Sequence, residues 1–522
     1  ETVTNSGTAS NSVTNSGTAT NTVGGVISGS VNNNASTSQF TNNGRVYGDA
    51  TNAQSAQFTN NGSVGGNATN NGVFTNASGA EIIGTFLNDT TGTLTNRGTI
   101  SSAVTNNGSA TNYGTLHTTL ANAGTFDNRG LISQAITNTG AFTNSGTAAS
   151  YISNSGTATN SLGGIISGYV NNNTASSQFT NKGRIDGVVN NNVVGALFDN
   201  SGLISGAVTN VATFTNTGTI NNTVSNTGAL NLNGTSGRVT GAISGSGVIN
   251  VGGRFVQEAA ISGNTINVND RGLLVTTNSL TAPALNVNAG GYLLAASNIS
   301  APITISDRGV LANDGNRTVY GDINNSGNVM PLTAGDKLTV NGSYTQTATG
   351  KFTSVIASKT RYGTLESTQP LNIANGSTIV ALMDPHLRIG PGTVFQGVLK
   401  GTGTPVETDI KAYTDRPRYK LKAVWSGSDV NLEWASTYYG ALSEQTLYSI
   451  SAVQGPTQNA MHQRYAVLNA VMEYDCNQFD KYNVCIQANA RATGFGTQAT
   501  GSGVFNIAYR PTEQSRIGAF ID

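Results

Sequence analysis

Phe126-Asp127-Asn128-Arg129-Gly130 is followed sixteen residues later by Phe142-Thr143-Asn144-Ser145-Gly146, and variants of this phrase recur throughout the first half of the chain. Self-similarity of this kind limits the architecture more than any other feature. The apolar or small residues that precede each Thr/Ser/Asp-Asn pair form one series: Val3, Ala19, Phe40, Phe58, Phe74, Leu94, Ala110, Phe126, Phe142, Ala158, Phe179, Phe198, Phe214 and Leu230. A second series, offset by about ten, runs Val13, Val31, Ala50, Ala68, Val104, Leu120, Ile136, Ile152, Val170, Val189, Val208 and Val224. Steps are mostly sixteen residues and stretch to about twenty-one where "GGVISG" or "GGIISG" is inserted. A longer copy overlies the short one: "GTATNTVGGVISGSVNNN" from Gly17 returns as "GTATNSLGGIISGYVNNN" from Gly156, 139 residues later. Duplication without loss of register is what a solenoid permits.

Helical solenoids are excluded, because Gly, Asn, Thr and β-branched residues are poor helix formers and no 3.6-residue apolar stripe runs through the repeats. Short segments alternate instead, as in Ala141-Phe142-Thr143-Asn144 and Leu230-Asn231-Leu232-Asn233, which is the strand period. The expected fold class is all-β: a long parallel β-helix, right-handed by the usual rule for parallel crossovers. Phe40, Phe58, Phe74, Phe126, Phe142, Phe179, Phe198 and Phe214 then form an inward structural ladder with rungs about 4.8 Å apart. The Asn of each phrase is expected to take a left-handed corner conformation and to hydrogen-bond along the stack, and the Gly to supply the next positive φ. After about residue 250 the text changes to "INVNDRGLL", "LNVNAGGYLL" and "ITISDRGVL", with larger side chains that imply a wider core. Roughly two dozen rungs to about residue 435 imply a rod on the order of 110 Å long.

Composition narrows the function. Charged residues are 10% of the chain and the formal net charge is zero, so surface polarity comes from amides and hydroxyls. A neutral chain without basic blocks is not a nucleic-acid binder. There is no HExxH, no phosphate-binding GxxxxGK[ST] and no calcium loop, so no cofactor or metal is expected. His117 stands alone among Thr and Leu, and "MDPHLR" (Met383 to Arg388) reads as a turn. Polysaccharide-cleaving β-helices need clustered carboxylates with Arg or Lys, and here acids are sparse, so an enzyme is not expected. Basic residues do recur at one corner position, Arg97, Arg129 and Lys182, between Asn and Gly. They are either solvated turn residues or a weak contact stripe for anionic glycans.

Beyond residue 340 the run "GSYTQTATGKF…YGTL" resembles the C-terminal passenger segment of AIDA-type autotransporters (type V secretion) of Gram-negative bacteria. That family implies a surface-exposed β-helix, a folding-promoting C-terminal passenger segment and a translocating barrel. The "GDS" nucleophile motif of its serine-protease passengers is missing; GDA, GDI and GDK stand instead. The tail fits the resemblance. "TQNAMHQRYAVLNAVMEYDC" after Pro456 carries Met461, Tyr465, Leu468 and Met472 at helical spacing, and "NVCIQANARATGFG", "GVFNIAYR" and "RIGAFID" alternate like outer-membrane strands. Three strands cannot close a barrel, so the text stops mid-barrel, just as its first residues, "ETVTNSGTAS", already lie inside the repeat. The resulting organisation is 1–250 short Asn/Gly-rich rungs, 251–340 longer rungs, 341–440 an autochaperone-like segment, 441–475 a linker with a short barrel-plugging α-helix, and 476–522 the first strands of an incomplete translocator β-barrel. Cys476 and Cys485, without neighbouring His, read as a disulfide rather than a metal site, and the resemblance places them together in an oxidising compartment.

These readings make the chain a virulence-type adhesin or mediator of autoaggregation on the outer membrane, with its passenger at the cell surface or released. Its partners would be the membrane itself, host glycan or matrix, or sister passengers. A structural stalk for an N-terminal effector is the alternative, and a glycan-active enzyme stands third.

Overall fold

The computed structural model describes residues 2–234, 237–416 and 419–435, and the backbone alone of 436, 484–495, 498–512 and 515–521. The chain divides into two compact units. The first comprises Glu1–Ala381, Val394–Ala412 and Lys422–Glu433, and the second comprises Leu382–Thr393, Tyr413–Leu421 and Trp434–Asp522.

The first unit is a parallel β-solenoid. One sixteen-residue rung shows the plan: strand Thr125–Asn128, a corner, strand Leu131–Ile132, a corner, strand Ile136–Asn138, and a last corner into Ala141–Asn144 of the next rung. Each strand pairs with its equivalent one rung on, so Phe126 lies on Phe142, Ile132 on Ala148 and Ile136 on Ile152. The first sheet has 21 strands, from Thr2–Asn5 to Leu371–Ile373, a stack about 100 Å long at the usual strand spacing. The second sheet has 14 two-residue strands and ends at Arg238–Val239. A fourth sheet of 8 strands takes over at Arg254–Gln257, with four residues per strand as far as Asn328–Pro331 and six at Lys351–Ile356 and Thr378–Met383. The third sheet meanwhile shortens from three residues to two at Ile243–Ser244 and closes with an antiparallel pair, Val394–Lys400 on Asp429–Ser436. Among the described residues there is no helix.

Both expected ladders stack in register. The Phe ladder lies in the first sheet, with ring centroids 5.1 Å apart for Phe40–Phe58, 4.7 Å for Phe58–Phe74, 4.9 Å for Phe179–Phe198 and 4.8 Å for Phe198–Phe214. These rings are 0–2% exposed. Burial of each contributes about 1.5–3 kcal/mol and each stacked pair about 0.5–1.5 kcal/mol more. Phe86 occupies the third-sheet position between Ala68 and Val104 and meets Phe74 edge-on at 5.1 Å. A third inward ladder runs through the second sheet, including Val64, Ile82, Ile100, Leu116 and Ile132, all fully buried.

Two expectations about the corner are corrected. The repeated Asn is not left-handed: among described non-glycine residues only Ser55, Arg271 and Arg308 have positive φ. Asn128 is instead the last residue of its strand, fully buried, with its side chain pointing inward. Its amide donates to Asn144 Oδ1 at 2.7 Å and accepts from Asn112 Nδ2 at 2.9 Å. Two such columns run through the unit, one from Asn5 to Asn216 in the first sheet and one from Asn15 to Asn226 in the third, the latter reaching on to Asn264. Every buried donor in them faces the C-terminal side. The second amide proton reaches backbone carbonyls, as from Asn128 to Gly130 and Thr147, so the buried amide is satisfied.

Nor does the glycine of the phrase need a positive φ. A β-carbon on Gly130 would stand 2.1 Å from the Gly114 carbonyl oxygen, and one on Gly146 would stand 2.2 Å from that of Gly130. The corner must let successive rungs approach at backbone distance, and a side chain would hold them apart. Positive φ belongs instead to glycines in the inserted turns, such as Gly24 and Gly163.

In the second unit, Met383–Arg388 forms the expected turn, with Asp384 Oδ1 accepting from the His386 amide at 2.8 Å. Burial pushes the Asp415 carboxyl above its ordinary range, although it accepts from the Met383 amide. Strands Val484–Phe495, Gln498–Thr512 and Ser515–Ile521 form a three-stranded antiparallel sheet. The expected helix after Pro456 and Cys476 lie outside the described residues, as does the side chain of Cys485, so the expected disulfide does too.

Candidate functional site

The corner between the first and second sheets builds a side-chain constellation that combines charge with an aromatic face. Each Asn of the first-sheet column ends its strand, and the next residue turns outward. Because rungs stack in register, the outward residues Arg97, Tyr113 and Arg129 stand one above another. The Arg97 guanidinium carbon lies 4.6 Å from the Tyr113 ring centroid, and that of Arg129 lies 5.3 Å from it on the same ring. Cation–π contact of this kind at an exposed site is worth about 0.5–1 kcal/mol. Arg129 Nε also donates to Asp127 Oδ2 at 2.7 Å, and this hydrogen bond, with the charge of Asp127, holds the guanidinium above its ordinary pKa. Arg97 makes no ion pair among the described residues. Lys182 occupies the same corner position farther along and is exposed.

The structure thus brings Arg97 and Arg129 onto one aromatic ring and sets Lys182 on the same edge. Sequence reasoning missed Tyr113, although the sixteen-residue step that links Arg97 to Arg129 passes through it. It also missed the stacked pair Tyr151–Tyr169, 4.7 Å apart and parallel to within 2°, each immediately before a third-sheet strand. His117 is exposed, with Nδ1 3.4 Å from Ser133 Oγ. The ladder phenylalanines serve packing alone, since none of their rings reaches the surface.

Outward hydroxyls and amides form further columns. Thr41, Thr59, Thr75, Thr95 and Thr111 follow one another in register on the outer face of the first sheet. Farther along, Asn250, Asn267 and Asn286 each donate to the Asn one rung back at 2.9–3.0 Å. Among the described residues, no three His, Cys, Asp or Glu side chains gather as a metal site. No described helix is long and apolar enough to cross a membrane.

No protein-family model matches this chain, and neither does any curated protein.

Proposed function

We propose that this protein is an autotransporter-type passenger displayed at the outer membrane, where it acts as an adhesin or mediator of cell–cell aggregation. The observation that carries the reading is the repetition of outward polar groups along the first sheet, above all the run of Thr41, Thr59, Thr75, Thr95 and Thr111 on successive rungs, which gives way to Asp at 127 and 199 and to Asn from 231 on. Each hydroxyl is a weak contact, but many at one fixed spacing bind together far more tightly than singly. Host glycan, matrix or a sister passenger would meet such a face through hydrogen bonds and bridging water. The three antiparallel strands near the C-terminus support a membrane anchor built of barrel-type strands, with the passenger left outside or released.

Display of the chain on a non-aggregating Gram-negative bacterium tests this function. Settling of the culture or attachment to a coated surface is the expected outcome. Inert cells that carry the folded passenger would overturn it in favour of a stalk that raises another domain. Turnover of any polysaccharide by the purified chain would replace both with an enzyme.

A further inference from the structure

Every Lys and Arg between residues 2 and 250 lies on one edge of the solenoid. Arg97, Arg129 and Lys182 hold the corner after the first sheet, while Arg45, Arg184 and Arg238 share one outward column of the adjoining second sheet. Three are neutralised locally, Arg129 by Asp127, Arg184 by Asp186 and Arg238 by Glu258. Arg45, Arg97 and Lys182 are exposed and make no ion pair among the described residues.

Two of these three are also pre-oriented. The Arg45 guanidinium carbon lies 4.6 Å from the Tyr47 ring centroid, the same distance as Arg97 from Tyr113. Stacking on a ring leaves the in-plane N–H fork facing solvent, ready for a bidentate bond to a planar or tetrahedral anion. Arg45 further lies in a trough of about 410 Å³. The turns at Gly24 and Gly79 wall it, Asn43 and Ser63 lie between them, and the carboxylate of Glu81, two rungs from Arg45 in the same column, lines its far end. The walls exist because those two corners carry an inserted turn, and the floor is low because the intervening corners are Gly44 and Gly62.

We infer that this edge binds a linear acidic polysaccharide, with Arg45, Arg97 and Lys182 each taking a carboxylate or sulfate. The inference rests on the adhesive reading and names its ligand class. Along the axis the three cations are spaced about 14 Å and about 24 Å apart at one strand spacing per rung. That charge density fits a polymer with an acidic group once per several ångströms to tens of ångströms of hydroxylated chain, whose neutral stretches meet Asn, Ser and Thr. It does not fit duplex nucleic acid, which carries one charge per about 1.7 Å and would leave most phosphates unmatched.

The test measures binding of the full chain to dextran sulfate, polygalacturonate, neutral dextran and duplex DNA over a salt series. Both acidic polysaccharides should bind, weaken with salt, and leave neutral dextran unretained. The combined variant R45Q/R97Q/K182Q, shown by circular dichroism to keep its fold, should bind them roughly tenfold more weakly, as three exposed charge contacts allow. Lys337→Gln, on the third sheet, should change nothing. Undiminished binding by the triple variant, equal retention of neutral dextran, or tighter binding of DNA than of either acidic polysaccharide would overturn the inference. Displayed cells that settle while the purified chain ignores both acidic polymers would sink this edge and spare the adhesive reading. Inert cells whose purified chain binds them would do the reverse.

Discussion

At Gly130 the limiting quantity is the distance between one backbone and the next. The Gly114 oxygen lies where a β-carbon would go, so Gly130→Ala must push two rungs apart or twist the corner. We expect a loss of about 1–3 kcal/mol, typical of overpacking, read as a lower denaturation midpoint with hydrogen-exchange protection falling first around Gly114 and Gly146. Gly390, with nothing within 4 Å of its notional β-carbon and no positive φ, should accept Ala without measurable change. The phrase "FTNSG" made the positions of Phe, Asn and Gly legible, because strict repetition reveals which residues are equivalent. It did not reveal why Asn and Gly recur. A tight turn and a close backbone approach select glycine equally well, and an inward amide looks no different in sequence from a corner amide.

At the scale of the element, the buried amide columns join rungs that the apolar ladders alone would leave free to slide. Each Asn is held at 2.7–2.9 Å in the first-sheet column, and a slip of one residue would break every link. Asn128→Asp removes the donor that serves Asn144, Gly130 and Thr147 and leaves a fully buried carboxylate. Loss of a partner around a buried charge costs about 3–5 kcal/mol. Burial raises the folded-state pKa of the new carboxyl above its unfolded value, so the penalty is full at neutral pH. It should shrink as pH falls through the folded pKa, and urea midpoints of variant and parent compared at pH 7 and pH 4 will show whether it does. The second-sheet ladder escaped notice because its strands are two residues long: Ile100, Leu116 and Ile132 stand alone inside, with no Thr-Asn pair to mark them. Phe86 was missed for the opposite reason, since it precedes Leu-Asn rather than Thr-Asn.

For the first unit as a whole, the 139-residue repeat has a direct structural meaning. Thr18–Asn21 and Thr157–Asn160 occupy equivalent first-sheet positions, each followed by an inserted turn with glycine at positive φ. Deletion of residues 17–155 joins Ser16 to Gly156 and lays Thr157–Asn160 on Thr2–Asn5 in the register now held by Thr18–Asn21. The shortened chain should fold as a shorter solenoid with unchanged strand signature by circular dichroism, because each rung contacts only its neighbours. A molten or aggregated product would refute that modularity. The edge of cations was partly legible: Arg97, Arg129 and Lys182 share a place in the phrase, whereas Arg45 joins them only when the second sheet is folded beside the first. Every buried amide in the two columns also points the same way. Cut the stack between any two of these rungs and one fresh face is left offering hydrogens, the other oxygens. The amide columns close again only head to tail, since two matching faces would bring their like poles together, while the strand edges beside them offer both N–H and C=O groups on either face.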